Sequence, residues 1–400
     1  MNPGLSGFEG VRAEVRDLAG EMVRLRRDFH RHPEPGFEEV GTAAKVAEWL
    51  EGCGGYQIRT GVAKTGVVAD LIGRDPSGPL VALRADMDAL RIQEQNEGID
   101  YASENPGVMH ACGHDAHTAI LLGVARVLAD NRDALKGGVR LIFQPAEEGP
   151  GGAEPMIREG VLRDPKPVAI FGLHVWSLLP VGDLALGEGP IMAYTDELQI
   201  RIRGKGGHGA MPQETIDPIV AASHLIVELQ SVVSRSVDPL DSAVLSIGKI
   251  RGGSIMNAIA DEVILEGTQR SFLPETQALL KRRLDDLGRG LDKTFGTQTE
   301  VTVIERYPAT VNDPEMTRLA SSVAEELLGP GHVQTGLRLM GGEDMSFYLR
   351  EVPGCFFFIG AGNAAKGISS PHHNPGFNLD EDSFVLGAEL LLRLVERFVL

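Results

Sequence analysis

This 400-residue chain lacks the residues for a disulfide framework, a nucleic-acid footprint or a membrane span. Its three cysteines, Cys53, Cys112 and Cys355, are too few and too scattered to staple a fold, which points to a reducing compartment. Cations are outnumbered, with 38 Lys and Arg against 56 Asp and Glu and a formal charge of −18. A sequence-independent nucleic-acid binder needs clustered Lys and Arg to displace counterions from phosphate, and an anionic membrane surface asks for the same sign of charge. No run approaches the ~18 apolar residues of a membrane span. The opening stretch turns amphipathic and charged where a signal peptide needs an uninterrupted apolar core. The expected location is the cytoplasm, with neither nucleic acid nor membrane as partner.

What is present is ordinary globular composition, 42% hydrophobic and 24% charged, in a chain longer than one core usually organises, so two domains are expected. Apolar residues recur at helical spacing over 11–29 and 38–50. "GVVADLIG" (66–73), "LVALRAD" (80–86), "VRLIFQP" (139–145), "VAIFGLH" (168–174) and "CFFFIG" (355–360) are short apolar runs that read as buried strands. Between the second and third of these, "HTAILLGVARVLADN" predicts an amphipathic helix opening near Asp115 as cap, and 380–400 predicts a closing helix. Strands alternating with helices predict an α/β fold with a mostly parallel sheet covered by helices.

The middle of the chain reads differently. Alternating strands at 194–206, 242–250, 261–272 and 297–307, with helices around 216–234 and 275–295, give the order βαββαβ. This predicts an inserted α+β domain of ferredoxin-like style over 190–308, splitting a metal-binding catalytic domain into 1–189 and 309–400. One face of its sheet is expected to be exposed or paired with a partner.

Open α/β sheets bind ligands beyond the carboxyl ends of their strands. Asp86 and Asp88 follow one predicted strand, Glu147 and Glu148 another, and His174 ends a third, while "MHACGHDAH" (109–117) opens the predicted helix. Singly these are weak signals, since paired acids usually cap or solvate and a lone histidine is usually structural. Together they place a thiol, several imidazoles and four carboxylates at one rim. A structural zinc site wants two close Cys/His pairs, and only Cys112 and His114 form one; a redox thiol wants a CxxC partner, and none exists. An open catalytic metal site remains, with "SSPHHNPGFNLDEDSF" (369–384) as a loop able to bring His372 or His373 to it. Of two adjacent glutamates, one can bind metal while the other takes a proton from water that the metal acidifies.

"LRADMDAL", "MHACGHDAHTAILLG", "FQPAEEGPGGAEPMIREG", "GLHVW", "GKGGHGAMPQETIDPI", "NAIADEVILEGTQRSF", "GGEDMSFYL" and "HHNPGFNLDE" occur in that order over nearly the whole chain. Together they resemble the M20 metallopeptidase superfamily, in its aminoacylase-like amidohydrolase branch of hippurate, N-acyl-amino-acid and auxin-conjugate hydrolases. The resemblance implies two divalent ions (Zn, Mn, Co or Ni) held by Cys112 as bridge, His114, Glu148, His174 and His373, the histidine before "NP". It implies Glu147 as general base, with Asp86 and Asp88 orienting ligands, and Glu343 and Asp344 as residues that hold a ligand histidine. It further implies that His208 stabilises the oxyanion, often from the neighbouring subunit. Asn257 and Arg270 are candidates for the substrate carboxylate, Arg because its fork suits planar bidentate recognition. The expected activity is hydrolysis of N-acyl-amino acids by a homodimer or homotetramer assembled through the inserted domain. Dipeptidase or N-acetyl-diaminopimelate deacetylase activity, and a silent binding role, are the alternatives.

Overall fold

The computed structural model describes residues 10–400, which divide into two compact units: one holds the chain up to Gly189 together with Val311–Leu337 and Asp344–Leu400, the other Pro190–Thr310 with Arg338–Glu343. The larger unit is built on one eight-stranded sheet. In chain order its strands are β1 (Tyr56–Val62), β2 (Gly66–Ile72), β3 (Leu80–Asp86), β4 (Gly138–Gln144), β5 (Ala169–Pro180), β6 (Leu184–Leu186), β7 (Val333–Thr335) and β8 (Gly354–Gly362). Across the sheet they run β1-β2-β4-β3-β5-β8-β6-β7.

The centre, β4-β3-β5-β8, is parallel, while β1 and β2 add an antiparallel hairpin at one side and β6 meets β8 antiparallel at the other. The long apolar runs fall on these central strands: β3, β4 and β8 are buried at every residue, as a sheet covered on both faces requires. The hairpin strand β1 and the short β6 and β7 have no equally apolar runs and lie outside the strands expected from sequence.

Helix α1 (Ala19–Arg31), α2 (Val40–Cys53), α3 (His114–Asp130), α4 (Pro314–Leu328) and α5 (Ser383–Val399) cover the sheet. The predicted 11–29 helix is interrupted, a short turn at Ala13–Asp17 preceding α1. Helix α3 is not amphipathic as expected: it is buried from His114 through Ala125 and again at Val127 and Leu128, because α1, α2 and α5 all pack on it. Its cap also differs. The N-cap residue is Gly113, at φ +99°, and Asp115 lies inside the first turn, where its carboxylate meets Arg26 and the N–H of the next residue, Ala116. Only a glycine suits that backbone, and a Cβ on Gly113 would come 2.4 Å from Val175 Cγ2 on β5. The turn between Cys112 and His114 is thereby pressed onto the strand that carries His174.

The smaller unit has the predicted βαββαβ order. Its strands Ala243–Gly252, Glu262–Ser271, Tyr194–Arg203 and Gln298–Tyr307 form, in that spatial order, one antiparallel sheet, and helices Pro218–Ser236 and Pro274–Phe295 bury one face of it. The strand Ala243–Gly252 is an edge, and most of its residues are exposed or half-exposed. No helix among the described residues is long and apolar enough to cross a membrane.

Gly113→Ala should therefore cost about 1–3 kcal/mol, through strain at positive φ and overpacking against Val175, read as a lowered midpoint in urea unfolding.

Candidate metal centre

The parallel strands deliver their carboxyl ends to one rim. Asp86 closes β3, in register with Gln144 at the end of β4, and His174 lies on β5 opposite Phe358 of β8. Asp88, just past β3, organises the next layer. Its Oδ1 accepts from the Glu147 N–H (3.0 Å) and its Oδ2 from the Glu148 N–H (2.9 Å), so one side chain fixes the glutamate turn. The His114 Nδ1–H donates to the Asp88 carbonyl (3.0 Å) with Oδ1 at 3.2 Å. The turn is held from behind as well: Ala146, at φ +55°, donates its N–H to buried Glu39, which also accepts from the Thr65 hydroxyl at 2.6 Å.

With Nδ1 committed, His114 Nε2 is buried and has no hydrogen-bond partner. It shares a space 4.8 Å or less across with Cys112 and His174, and another with Glu147 and Glu148; Cys112, Glu148 and His373 form a third such group. Cys112 thus belongs to two sets of three donors. His373, on a left-handed backbone (φ +63°) with its N–H on the Ala111 carbonyl (2.8 Å), brings Nε2 to 3.2 Å from Glu148 Oε1.

Histidine tautomers follow from their partners. The Val175 N–H must donate to His117 Nε2 (2.9 Å), so His117 Nδ1 carries the proton given to Asp86 Oδ1 (2.6 Å). The Val175 carbonyl accepts from His174 Nδ1 (2.7 Å) and His372 Nε2 (2.9 Å). His174 therefore turns a bare Nε2 toward Cys112 Sγ, 3.4 Å away. Burial, with His117 and His372 beside it, holds His174 well below the usual imidazole range. His372 spends its N–H on the backbone and stacks on Trp176 with ring centres 4.3 Å apart; burial brings its pKa down to about 3. The structure brings His373, and not His372, into a donor group.

Asp86 takes the Arg84 guanidinium at 2.6 Å; burial opposes its charge, but His114, Arg84 and His117 hold it well below the usual carboxylate range. Asp344 holds no ligand histidine, contrary to the sequence expectation. Its carboxylate accepts from Arg84 (2.8 Å), Gln144 (2.7 Å) and the Ala153 N–H (3.0 Å), while buried Glu343 belongs to the smaller unit. Arg84 and Gln144 are functional residues that sequence reading passed over. Arg84 was legible as a charged side chain inside the apolar run "LVALRAD", and Gln144 as the polar residue that ends "VRLIFQ".

In the smaller unit, His208 is exposed on a two-residue ribbon paired with Ala258, and shares a pocket of about 720 Å³ with Asn257, Ser254 and Asp261. Arg270 lies elsewhere. It sits near the far end of the strand that begins at Glu262, eight residues and roughly 26 Å along it. The strand length thus separates Asn257 and Arg270 within one chain, and they do not form one carboxylate clamp.

The donor set fits a divalent cation pair. Burial and the neighbouring Glu148 and Glu147 push the Cys112 thiol well above its usual range, so a thiolate needs compensating positive charge. His114 is driven the other way: burial disfavours its charged form, yet Asp86 and Asp88 push it up to about 10. A cluster that protonates an imidazole with no acceptor for the proton is one that a metal ion suits better. Soft and hard donors mixed in this way admit Zn, Mn, Co or Ni.

A model of "Peptidase family M20/M25/M40" matches residues 82–397. The chain is 42% identical over 392 residues to the Arabidopsis thaliana IAA-amino acid hydrolase ILR1-like 4, covering 97% of this chain and 88% of that one. It is 40% identical over 386 residues to the Bacillus subtilis N-acetyl-L-cysteine deacetylase, covering 96% and 89%. Among solved structures, the Bacillus subtilis YXEP protein, described as a dinuclear metal-binding peptidase, superposes with a TM-score of 0.82 at 37% identity over 95% of this chain and 98% of that one.

His373→Ala should lower the number of metal ions retained per chain, and His372→Ala should leave it unchanged, counted by plasma emission after gel filtration; the reverse pattern would reassign the ligand. Asp88→Ala leaves the buried Glu147 N–H unpaired, at about 1–3 kcal/mol, and frees the half-buried Glu148 N–H as well, and should reduce both urea stability and metal content.

Proposed function

The chain belongs to peptidase family M20/M25/M40, and from that premise we propose that it is a metal-dependent amidohydrolase cleaving N-acyl-amino acids. The observation that carries this reading is the shared thiol: Cys112 joins a His114–His174 group to a Glu148–His373 group beside a turn that also presents Glu147. Cys112, His114, Glu148, His174 and His373 would hold two divalent ions. When bound, such ions polarise a carbonyl and lower the pKa of water from 15.7 toward about 7.

Glu147, only 6% exposed, takes the proton of the attacking water and delivers it to the leaving nitrogen. A C–O bond forms, the C–N bond breaks, and a carboxylic acid and a free amino acid leave. Asp88 keeps the Glu147–Glu148 turn and His114 in one frame, so the base and two ligands cannot shift independently. Arg270 is half-buried, and desolvation lowers its pKa, which makes an incoming carboxylate a favourable partner for its guanidinium.

His208 stabilises the oxyanion and Asn257 accompanies it, both from a second copy of the chain. The distance between the His208–Asn257 pocket and Arg270 favours this division, since two copies can offer opposite ends of the small domain to one substrate. The inserted 190–308 domain is the assembly surface of a homodimer or homotetramer and the lid of the catalytic domain. Exposed Ile219, Val220 and Val227 on helix Pro218–Ser236, with Ile250 on the neighbouring edge strand, supply an apolar face for it.

Glu147→Gln should keep its metal and lose about 10²–10⁴ in kcat, and His208→Ala should keep its metal and lose about 10²–10³. Refolding the two inactive variants together should restore turnover, because one site of each mixed dimer combines an intact Glu147 with an intact His208; no recovery would place His208 in its own chain's site. A panel of N-acetyl, N-benzoyl and longer acyl amino acids, with dipeptides alongside, tests the substrate class, and no turnover on any with any metal would end the hydrolase reading.

A further inference from the structure

We propose that His30 is a positioning residue, an imidazolium that ties the Cys112–His114 end of helix α3 to the loop presenting His373; the inference rests on the metal-centre reading above. His30 is buried on α1. Its Nδ1 is 2.7 Å from Asp115 Oδ2 and its Nε2 3.2 Å from Glu94 Oε1. Each carboxylate is otherwise ringed by donors. Asp115 accepts from Arg26 Nε (2.8 Å) and the Ala116 N–H (3.0 Å); Glu94 accepts from the Ser103 N–H (2.6 Å) and Asn96 Nδ2 (2.9 Å). A carboxylate oxygen lies within hydrogen-bond distance of each ring nitrogen, and at Nδ1 Asp115 is much nearer than the Arg26 guanidinium at 3.5 Å, so the ring donates from both nitrogens and carries a positive charge.

The chain of bonds continues outward from both carboxylates. Asp115 is the residue after His114 in the first turn of α3. On the other side Asn96 Nδ2 donates to the Phe377 carbonyl (2.8 Å) and the Gln95 N–H to the Pro375 carbonyl (2.9 Å). Both carbonyls lie on the segment that follows His373. His373 is half-exposed on a left-handed backbone, so the placing of its ring against Glu148 depends on how its loop is held, by its own N–H on the Ala111 carbonyl and by this tie on the segment that follows.

The groups facing the ring are Arg26, Asp115 and His110 from the helical side and Glu94 and Tyr101 from the loop, with Glu381 on Arg26. Burial and Arg26 disfavour a second charge, yet Asp115 and Glu94 raise the His30 pKa above the usual imidazole value. His110 does not compete, because burial brings it down to about 4. Since the folded-state pKa is raised, the tie is complete below the unfolded value and is lost as pH rises through the folded one.

The test measures the rate at which the metal-loaded protein gives up metal to a chelator, with circular dichroism and urea unfolding as checks on folding. His30→Ala should lose metal about 10–100-fold faster than wild type, the range typical for residues that orient ligands. Asn96→Ala, which cuts the tie in a surface loop and leaves α1 intact, should change in the same direction and keeps the test sound if His30→Ala does not fold. Ring ¹⁵N shifts at neutral pH should show both His30 nitrogens protonated. Folded variants that lose metal within two-fold of the wild-type rate, or a neutral His30 ring, would overturn the inference alone. A wild-type chain that holds no metal would overturn the metal-centre reading and this inference with it.

Discussion

Buried negative charge at one rim of a sheet is the constraint around which the larger unit is arranged. Asp86, Asp88 and Glu147 are almost wholly out of solvent and Glu148 is nearly so. Ionised carboxylates in such a place persist only if positive charge and hydrogen bonds surround them. Arg84 answers part of this need, bridging Asp86 and Asp344 beneath the rim. Backbone N–H groups of the glutamate turn answer another part, and His114 and His373 lean into the remainder. Much of the local architecture follows: the left-handed Ala146 that aims the turn, the glycine before His114 that lets α3 begin hard against β5, and the strand order that brings Asp86, Gln144 and His174 to one side.

Most of the fold was legible because hydrophobic periodicity carries it. The strands β3, β4 and β8 are continuous apolar runs, and the alternation in 194–307 marks a sheet covered on one face. The rest was not legible for physical reasons. Strand β1 is mostly exposed and has no periodicity strong enough to announce it, and β6 and β7 are three residues each. Helix α3 looked two-faced because His114, Asp115, His117 and Thr118 lie on it, but all four are buried, and their partners come from other elements of the core.

At the site, sequence motifs identified the residue types and their family, whereas the partners needed coordinates. That Asp115 serves Arg26 and His30 and caps no helix, or that Asp344 supports Arg84 and Gln144 rather than a histidine, depends on residues dozens to hundreds of positions away. Spacing could not separate Asn257 from Arg270 either, since only the direction of the Glu262–Ser271 strand shows them at opposite ends.

The peptide groups of Val175 set the protonation pattern of three histidines: its N–H selects one tautomer of His117, and its carbonyl selects those of His174 and His372. That instruction is written in main chain, in atoms every residue type but proline supplies. Side-chain replacement at position 175 leaves those main-chain atoms in place, so an alanine there registers the loss of a buried side chain and not of the pattern. Changing it calls for altering the backbone itself, for instance an ester in place of the amide, so one of the strongest determinants of the chemistry here is a residue whose identity is almost irrelevant to it.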